Sequence, residues 1–195
     1  SYYAYTKYKG ENIIKKNSKK YNYRYAILRY FNVAGASPSN KIGEIKSSYG
    51  HLFKNLAIQA LKKKPVINIF GNDYKTKDGT CIRDYIHVSD LADVHIKCIE
   101  LLQKKKTLVL NYGYGKGYSV KDIVSIFKKL KKNCLINYKD RRPGDVAQVY
   151  ANTNKFKKVL KLKPKYNDIK KILQSSINWE KKINWSLSLL TSIYM

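Results

Sequence analysis

A tyrosine and a lysine four residues apart, Tyr3 and Lys7, stand at the start of this 195-residue chain. On a helix that spacing puts both side chains on one face. The ammonium then favours the phenolate of the tyrosine and makes it a usable general base. Tyrosine and lysine are both abundant here, so the pair by itself is generic. A second candidate is the run Leu28-Arg29-Tyr30-Phe31-Asn32-Val33-Ala34-Gly35-Ala36. It reads as a strand that ends and opens into a loop, and functional groups of open α/β sheets gather at such carboxyl ends. Asn32 brings donors and an acceptor to that point, either as a ligand contact or as a turn residue behind a buried aromatic strand end.

Arginine is scarce. Only 5 of the 40 basic residues are Arg (24, 29, 83, 141 and 142), so each one weighs more than a lysine. The planar guanidinium fork suits phosphate oxygens, which makes Arg83 and Arg142 candidates to clamp a diphosphate. A structural pair of Arg83 with Asp84 or Asp90 is the competing reading, and Arg141 reads as a surface neighbour. Gly113-Tyr114-Gly115-Lys116-Gly117 lies between a strand and a helix and superficially suggests a dinucleotide loop. Its spacing is GxGxG, not GxGxxG, and no acidic ribose ligand follows about 20 residues on, so a structural turn is preferred. The three cysteines (81, 98, 134) and three histidines (51, 87, 95) are scattered, with no zinc spacing. That predicts no metal site and no disulfide framework, and a reducing, cytoplasmic compartment.

The elements that must position these groups alternate between helix and strand. Helices are expected over 3–17, 49–62, from Ser89 or Asp90 as cap to about 104, from Ser119 as cap to about 131, and near 153–160 and 167–182. Strands are expected over Tyr23 to Tyr30, Val66 to Phe70, 83–88, Leu108 to Asn111 and Leu135 to Tyr138. Loops fill 34–48, 71–82 and the Arg141–Asp145 stretch, while 184–195 shows no clear assignment. Such alternation indicates α/β with a largely parallel sheet.

Composition narrows the classes. At 44% hydrophobic and 13% aromatic the chain is too apolar for wholesale disorder, and no run reaches the roughly 18 apolar residues of a membrane span. It opens Ser1-Tyr2-Tyr3 with neither an initiator Met nor the apolar stretch of a signal peptide, as a sequence does that starts inside something longer. The formal charge is +27. A nucleic-acid or anionic-membrane partner is one reading of that charge. The lysines are spread over every segment, however, and Lys, Asn, Ile and Tyr, whose codons are rich in A and T, supply 89 of the 195 residues. A biased, solvating surface is the preferred reading, with only weak non-specific affinity for RNA.

Taken in order, the motifs closely resemble the UDP-glucose 4-epimerase family of extended short-chain dehydrogenases/reductases. They are Tyr3-x-x-x-Lys7, then Arg29-Tyr30-Phe31-Asn32-Val33-Ala34-Gly35, then Phe70-Gly71-Asn72-Asp73-Tyr74. Next come Asp78-Gly79-Thr80-Cys81-Ile82-Arg83-Asp84-Tyr85-Ile86-His87-Val88, Asn111-x-Gly113-x-Gly115 and Arg142-Pro143-Gly144-Asp145. The resemblance runs to about residue 182. It implies a partial Rossmann-type parallel sheet and the smaller C-terminal substrate-binding α/β domain. Residues 1–33 would close the Rossmann domain, 34–183 would mainly bind the UDP-sugar with some elements returning to the Rossmann sheet, and 184–195 would be an extension.

The same resemblance implies tightly bound NAD and a homodimer when the protein is complete, with no specific nucleic acid and no membrane. Tyr3 would remove the proton of the sugar 4-hydroxyl, and Lys7 would activate it and hold the nicotinamide ribose. Tyr30 and Phe31 would border the cofactor. Asn32 would face the sugar diphosphate, His51 and Leu52 the substrate, and Asn68, Ile69 and Phe70 the uridine. Arg83 and Arg142 would grip the diphosphate and Asp145 the uridine ribose. The reaction would interconvert UDP-glucose and UDP-galactose through a 4-keto sugar. The Gly-rich phosphate loop and the catalytic Ser or Thr of the family are missing, and Val149 stands where many members carry a Tyr, which leaves the hexose or N-acetylhexosamine range open. Such a piece would expose a sheet edge and an apolar face. The alternatives are a non-catalytic UDP-sugar-binding remnant or subunit, another nucleotide-sugar member such as a dehydratase or decarboxylase, and a basic RNA-binding protein.

Overall fold

The computed structural model describes residues 2–45, 51–104 and 107–193. Helix α1 covers Tyr2–Tyr21, longer than the expected 3–17. No proline interrupts it, Lys19 and Lys20 suit its negative end, and Asn22 in the left-handed region (φ 52) turns the chain out of it. None of its residues is buried. It is tied to the next strand by Arg29, whose fork grips both carboxylate oxygens of Glu11 at 2.6 and 2.5 Å.

The strand expected from Tyr23 begins at Ala26 and is divided. β1 (Ala26–Tyr30) pairs in parallel with β5 (Leu108–Tyr112), while β2 (Asn32–Ala34) pairs in parallel with β4 (Ile82–His87). The change of partner falls at Phe31, whose amide still donates to Tyr112 O at 3.1 Å. One residue later Asn32 stands opposite Tyr85. A third parallel pair joins β3 (Val66–Phe70) to β7 (Leu135–Lys139). Among the described residues only β6 (Gly117–Ser119) is antiparallel, and the two-residue β8 (Gln148–Val149) adds a parallel partner to β4. The pairing is thus largely parallel, as expected, but divided into two two-stranded sheets and a four-stranded one around β4. Neither β2, β6 nor β8 was expected, because two or three residues show no alternation to read.

Two apolar cores lie between these strands and the helices. Around β1 and β5, Leu108, Leu110 and Tyr112 meet Leu91, Val94 and Cys98 of α3 (Val88–Gln103) and Phe156 of α5 (Asn154–Leu160). Around β3, Ile67 and Ile69 meet Phe53, Leu56, Ala57 and Ala60 of α2 (Leu52–Ala60), the apolar face expected there. The first positions expected for this helix, 49 and 50, lie outside the described residues. Ile123, Val124 and Phe127 of α4 (Val120–Leu130) close that core. Each such side chain contributes about 1.5–3 kcal/mol by leaving water. Ile172, Leu173 and Ile177 of α6 (Ile169–Ile193) complete it. The stretch 184–193, unassigned from sequence, continues this helix.

The caps divide the same way. Ser119 caps α4 as expected and forms a capping box with Asp122. Helix α3 is capped by neither Ser89 nor Asp90: His87 is its N-cap, its Nδ1 accepting from the Ser89 amide at 3.1 Å. Asp90 is buried and turned elsewhere, accepting from the amides of Lys165 and Tyr166 at 2.8 and 3.0 Å.

Candidate functional site

Alternation in β3 sets the floor of the site. Ile67 and Ile69 point into the core, so Asn68 faces outward and Phe70 stays half-buried at the strand's carboxyl end. These two, with Lys139, Asp140, Arg141, Arg142 and Pro143, line a shallow cleft of about 370 Å³. The Arg142 guanidinium lies 4.1 Å from the Phe70 ring centroid. Of the three residues expected along this strand, Ile69 is only 1% exposed, so its side chain is spent on packing and only its main chain is left for a ligand.

Arg141, expected to be a mere surface neighbour, is a staple. It donates to the Asp73 carboxylate at 2.7 Å and to Asp73 O at 2.5 Å, and it sits 4.3 Å from the Tyr74 ring centroid. The bond from Arg141 holds the Asp73 carboxyl below the usual carboxylate range. The loop after β3 is thereby fastened to the segment after β7. Gly71, at φ 76, makes room for this: a Cβ there would come within 2.4 Å of the Tyr74 ring.

Arg83, in β4, reaches the same segment from the other side. One nitrogen of its fork donates to Ile82 O at 2.8 Å and Val146 O at 2.9 Å, and the other to the Asp145 carboxylate at 3.2 Å. The Asp145 amide donates back to Arg142 O at 3.2 Å. Arg83, Arg142 and Asp145 therefore meet on one turn. The pairs weighed from sequence, Arg83 with Asp84 or with Asp90, do not form.

Asp84 does something that the motif reading missed. It is fully buried and accepts from the amides of Tyr114, Gly115 and Ala151 at 3.0, 2.8 and 3.2 Å. Burial pushes its carboxyl up, and these backbone bonds oppose the shift. The glycines of the GxGxG segment serve this knot: a Cβ on Gly113 would stand 2.3 Å from the Asp84 carboxylate. The structural-turn reading holds, since amides aimed at a carboxylate cannot also cradle a phosphate. A carboxylate inside Ile82-Arg83-Asp84-Tyr85-Ile86-His87 was the available signal, because a buried Asp needs donors and a glycine turn supplies them.

Of the expected residues Asn68, Phe70 and Arg142 line the cleft; Arg83 and Asp145 are tied to its edge through the turn after Arg142, and the others lie elsewhere. Tyr3 and Lys7 lie in the first turns of α1, the Lys7 ammonium 5.1 Å from the centroid of the Tyr3 ring, which is 70% exposed. Tyr30 meets His95 edge-on at 6.3 Å, Phe31 is half-buried, and Asn32 is exposed where β2 begins. His51 is the N-cap residue of α2 but makes no capping bond with its side chain, whose Nδ1 lies 3.1 Å from the Glu44 carboxylate, while Leu52 packs against the β3 core. Among the described residues no group of acidic, His or Cys side chains is arranged to hold a metal ion, and no helix is long and apolar enough to cross a membrane.

The fold is that of an extended short-chain dehydrogenase/reductase. It superposes with a TM-score of 0.87 on the UDP-glucose-4-epimerase of Stenotrophomonas maltophila, solved with bound NAD and formylated UDP-arabinopyranose, at 30% identity over 94% of this chain and 56% of that one. For the Bifidobacterium longum UDP-glucose 4-epimerase, solved with NAD+ and UDP, the values are 0.77, 36%, 88% and 52%. The chain belongs to the NAD dependent epimerase/dehydratase family, whose model matches residues 1–113. It is 37% identical over 187 residues to the UDP-glucose 4-epimerase of Azospirillum brasilense, covering 95% of this chain and 54% of that protein. A UDP-arabinose 4-epimerase of Arabidopsis thaliana is 37% identical over 195 residues, covering 97% and 46%. The chain thus spans about half the length of the curated relatives it matches.

Proposed function

We propose that this chain supplies the UDP-sugar site and the proton-transfer pair of an NAD-using nucleotide-sugar 4-epimerase, with UDP-glucose and UDP-galactose as its substrates. The observation that carries the reading is Arg142 lying against Phe70 in the cleft, on the turn whose Asp145 pairs with Arg83. A guanidinium on an aromatic floor, with a second one bound to the same turn, suits a diphosphate joined to a base. Asn68 and Phe70 border the uracil, and Asp145 takes the ribose. Holding the nucleotide firmly leaves the hexose free to present either face, which epimerisation requires.

Tyr3 is the base that takes the 4-hydroxyl proton at its phenolic oxygen and returns it afterwards. The Lys7 ammonium beside its ring stabilises the charge that forms there. NAD, when bound, supplies the hydride acceptor and donor at the sugar C4. Tyr3, Lys7, Tyr30 and Phe31 suit its nicotinamide end, and Asn32 faces the sugar diphosphate. The GxGxG turn does not suit the NAD phosphates, because its amides are committed to Asp84. Residues 1–33 belong to the cofactor domain and 34–183 mainly to the substrate domain, with β5 returning to pair with β1; the stretch from 184 is an extension of α6. The exposed Tyr2, Tyr5, Tyr8 and Ile13 of α1 suit a twofold contact between copies. Three free cysteines suit a reducing compartment, the cytoplasm.

Calorimetric titration with UDP and with uridine tests the site. Binding that needs the diphosphate and weakens about tenfold or more in Arg142→Ala is the expected result. Equal affinity for the two ligands, or none for either, refutes it.

A further inference from the structure

Among the described residues strand β5 has one neighbour, β1. Two bonds fix which of its main-chain groups face that neighbour. The Leu108 amide donates to Tyr25 O at 2.9 Å, and Tyr112 O accepts from the Phe31 amide at 3.1 Å. Main-chain groups alternate along a parallel pair, so Leu108, Leu110 and Tyr112 turn theirs toward β1. Val109 and Asn111 present their N–H and C=O along the opposite edge, where no described residue bonds to them. An unpaired edge is a template for a further strand.

A groove of about 460 Å³ runs beside this strand. Residues 107–110 line one side of it, and Lys155, Lys158, Val159 and Lys161 the other. β1 contributes none of the lining, which puts the groove on the free side. Phe156 and Leu160 of α5 pack with Leu108, Leu110 and Tyr112, so the helix covers the face to which these side chains point. Lys155 and Lys158 are three apart on α5, and Lys161 follows as its C-cap. All three are exposed, and none enters an ion pair among the described residues. No aspartate or glutamate lines the groove, and residues 151–164 carry five lysines without one.

These charges select the occupant. A second copy of the chain would bring its own lysines edge to edge and be repelled. A nucleic acid has the charge but no ladder of N–H and C=O to answer Val109 and Asn111. An extended peptide with Asp or Glu at alternate positions has both. Its main chain continues the sheet, and every second side chain falls on the α5 face beside the lysines.

We propose that the free edge of β5 and the lysines of α5 form a docking groove for an extended acidic segment of a partner protein, bound as an added strand. The inference does not depend on the nucleotide reading of the cleft at Phe70.

The probe is a fluorescein-labelled octapeptide that alternates glutamate and valine, titrated by anisotropy. Its counterpart is N-methylated along the main chain, which keeps every charge and removes the donors. The expected result is binding about tenfold or more tighter for the unmodified peptide. A similar loss is expected in the Lys155→Glu, Lys158→Glu double variant, with its melting temperature retained. Hydrogen exchange of the Val109 and Asn111 amides should slow when the peptide binds. Equal affinity for the two peptides overturns the proposal, as does unchanged affinity in the double variant, unchanged exchange at Val109 and Asn111, or no binding at millimolar peptide. A uridine octanucleotide that binds more tightly than the peptide, and weakens in the same variant, would make the groove a nucleic-acid face and overturn it as well.

Discussion

The Arg142 guanidinium rests 4.1 Å from the Phe70 ring centroid and so joins the end of β3 to the turn after β7. The strands make this meeting unavoidable. Phe70 stands opposite Lys139 in the parallel pair, and three residues further on the chain has turned back over the ring. A guanidinium against an aromatic face gains about 0.5–2 kcal/mol and loses little of its hydrogen-bonding capacity at the edge. The ring therefore holds Arg142 in place at the edge of the cleft.

Arg142→Lys keeps the charge but discards the planar fork and most of the stacking. UDP affinity should fall about tenfold, measured by calorimetry, with uridine affinity changed less. Unchanged UDP affinity would show that charge alone suffices and would take the Phe70 contact out of the account.

Tyr3→Phe removes one oxygen from an exposed side chain and should leave folding untouched. In a form of the protein that epimerises, turnover should fall by about 10²- to 10⁴-fold, the scale of lost general base catalysis, with UDP-sugar affinity retained. Conversion of UDP-galactose in the presence of NAD measures it. Equal turnover would remove Tyr3 from the chemistry.

What could be read in the sequence was what is local. The cap at Ser119 was legible because its partner Asp122 is three residues away, and the face of α2 because helical spacing shows it directly. The scarcity of arginine singles out Arg83 and Arg142, but what Arg83 touches was not legible, since Asp145 lies 62 residues further on. Asp84 collects its donors from residues 30 to 67 positions away, and no pattern around it says so. His87 went unnoticed as a cap because serine and aspartate, the better formers, follow it directly. The split at Phe31 is equally non-local: the strand changes partner there, and both partners come later in the chain.

His87 gives a pH dependence whose sign can be worked out. Burial first lowers its pKa, while Asp90 and a backbone bond to Ala36 act the other way. Its Nδ1 must stay unprotonated to accept from Ser89. The unfolded chain takes up the proton near the ordinary value of about 6.5, before the fold does. The His87 contribution is therefore present above that pH and is lost as pH falls below it. His87→Asn keeps an acceptor for the helix terminus and cannot titrate. Urea midpoints of the parent should drop more steeply between pH 7 and 5 than those of the variant, so the gap between them changes in the variant's favour. Parallel curves would show that His87 does not titrate with unfolding.

Lys54 and Glu180 form an ion pair at 2.5 Å between α2 and α6, only 5% and 7% exposed, and the same ammonium donates to Glu44 O at 2.8 Å. Trp179, the neighbour of Glu180, donates to that carbonyl as well, at 3.0 Å. The pair thus anchors the segment leading toward α2 onto the last helix. Two charges taken out of water offset each other only while both are present. Lys54→Met leaves a lone buried carboxylate and should cost ~3–5 kcal/mol of unfolding free energy. Combining Lys54→Met with Glu180→Leu removes both charges and should restore most of that loss, apart from the anchor to Glu44. Urea unfolding of the three variants measures it. A double variant no more stable than Lys54→Met would mean that the cost lies in the Glu44 anchor and not in the stranded charge.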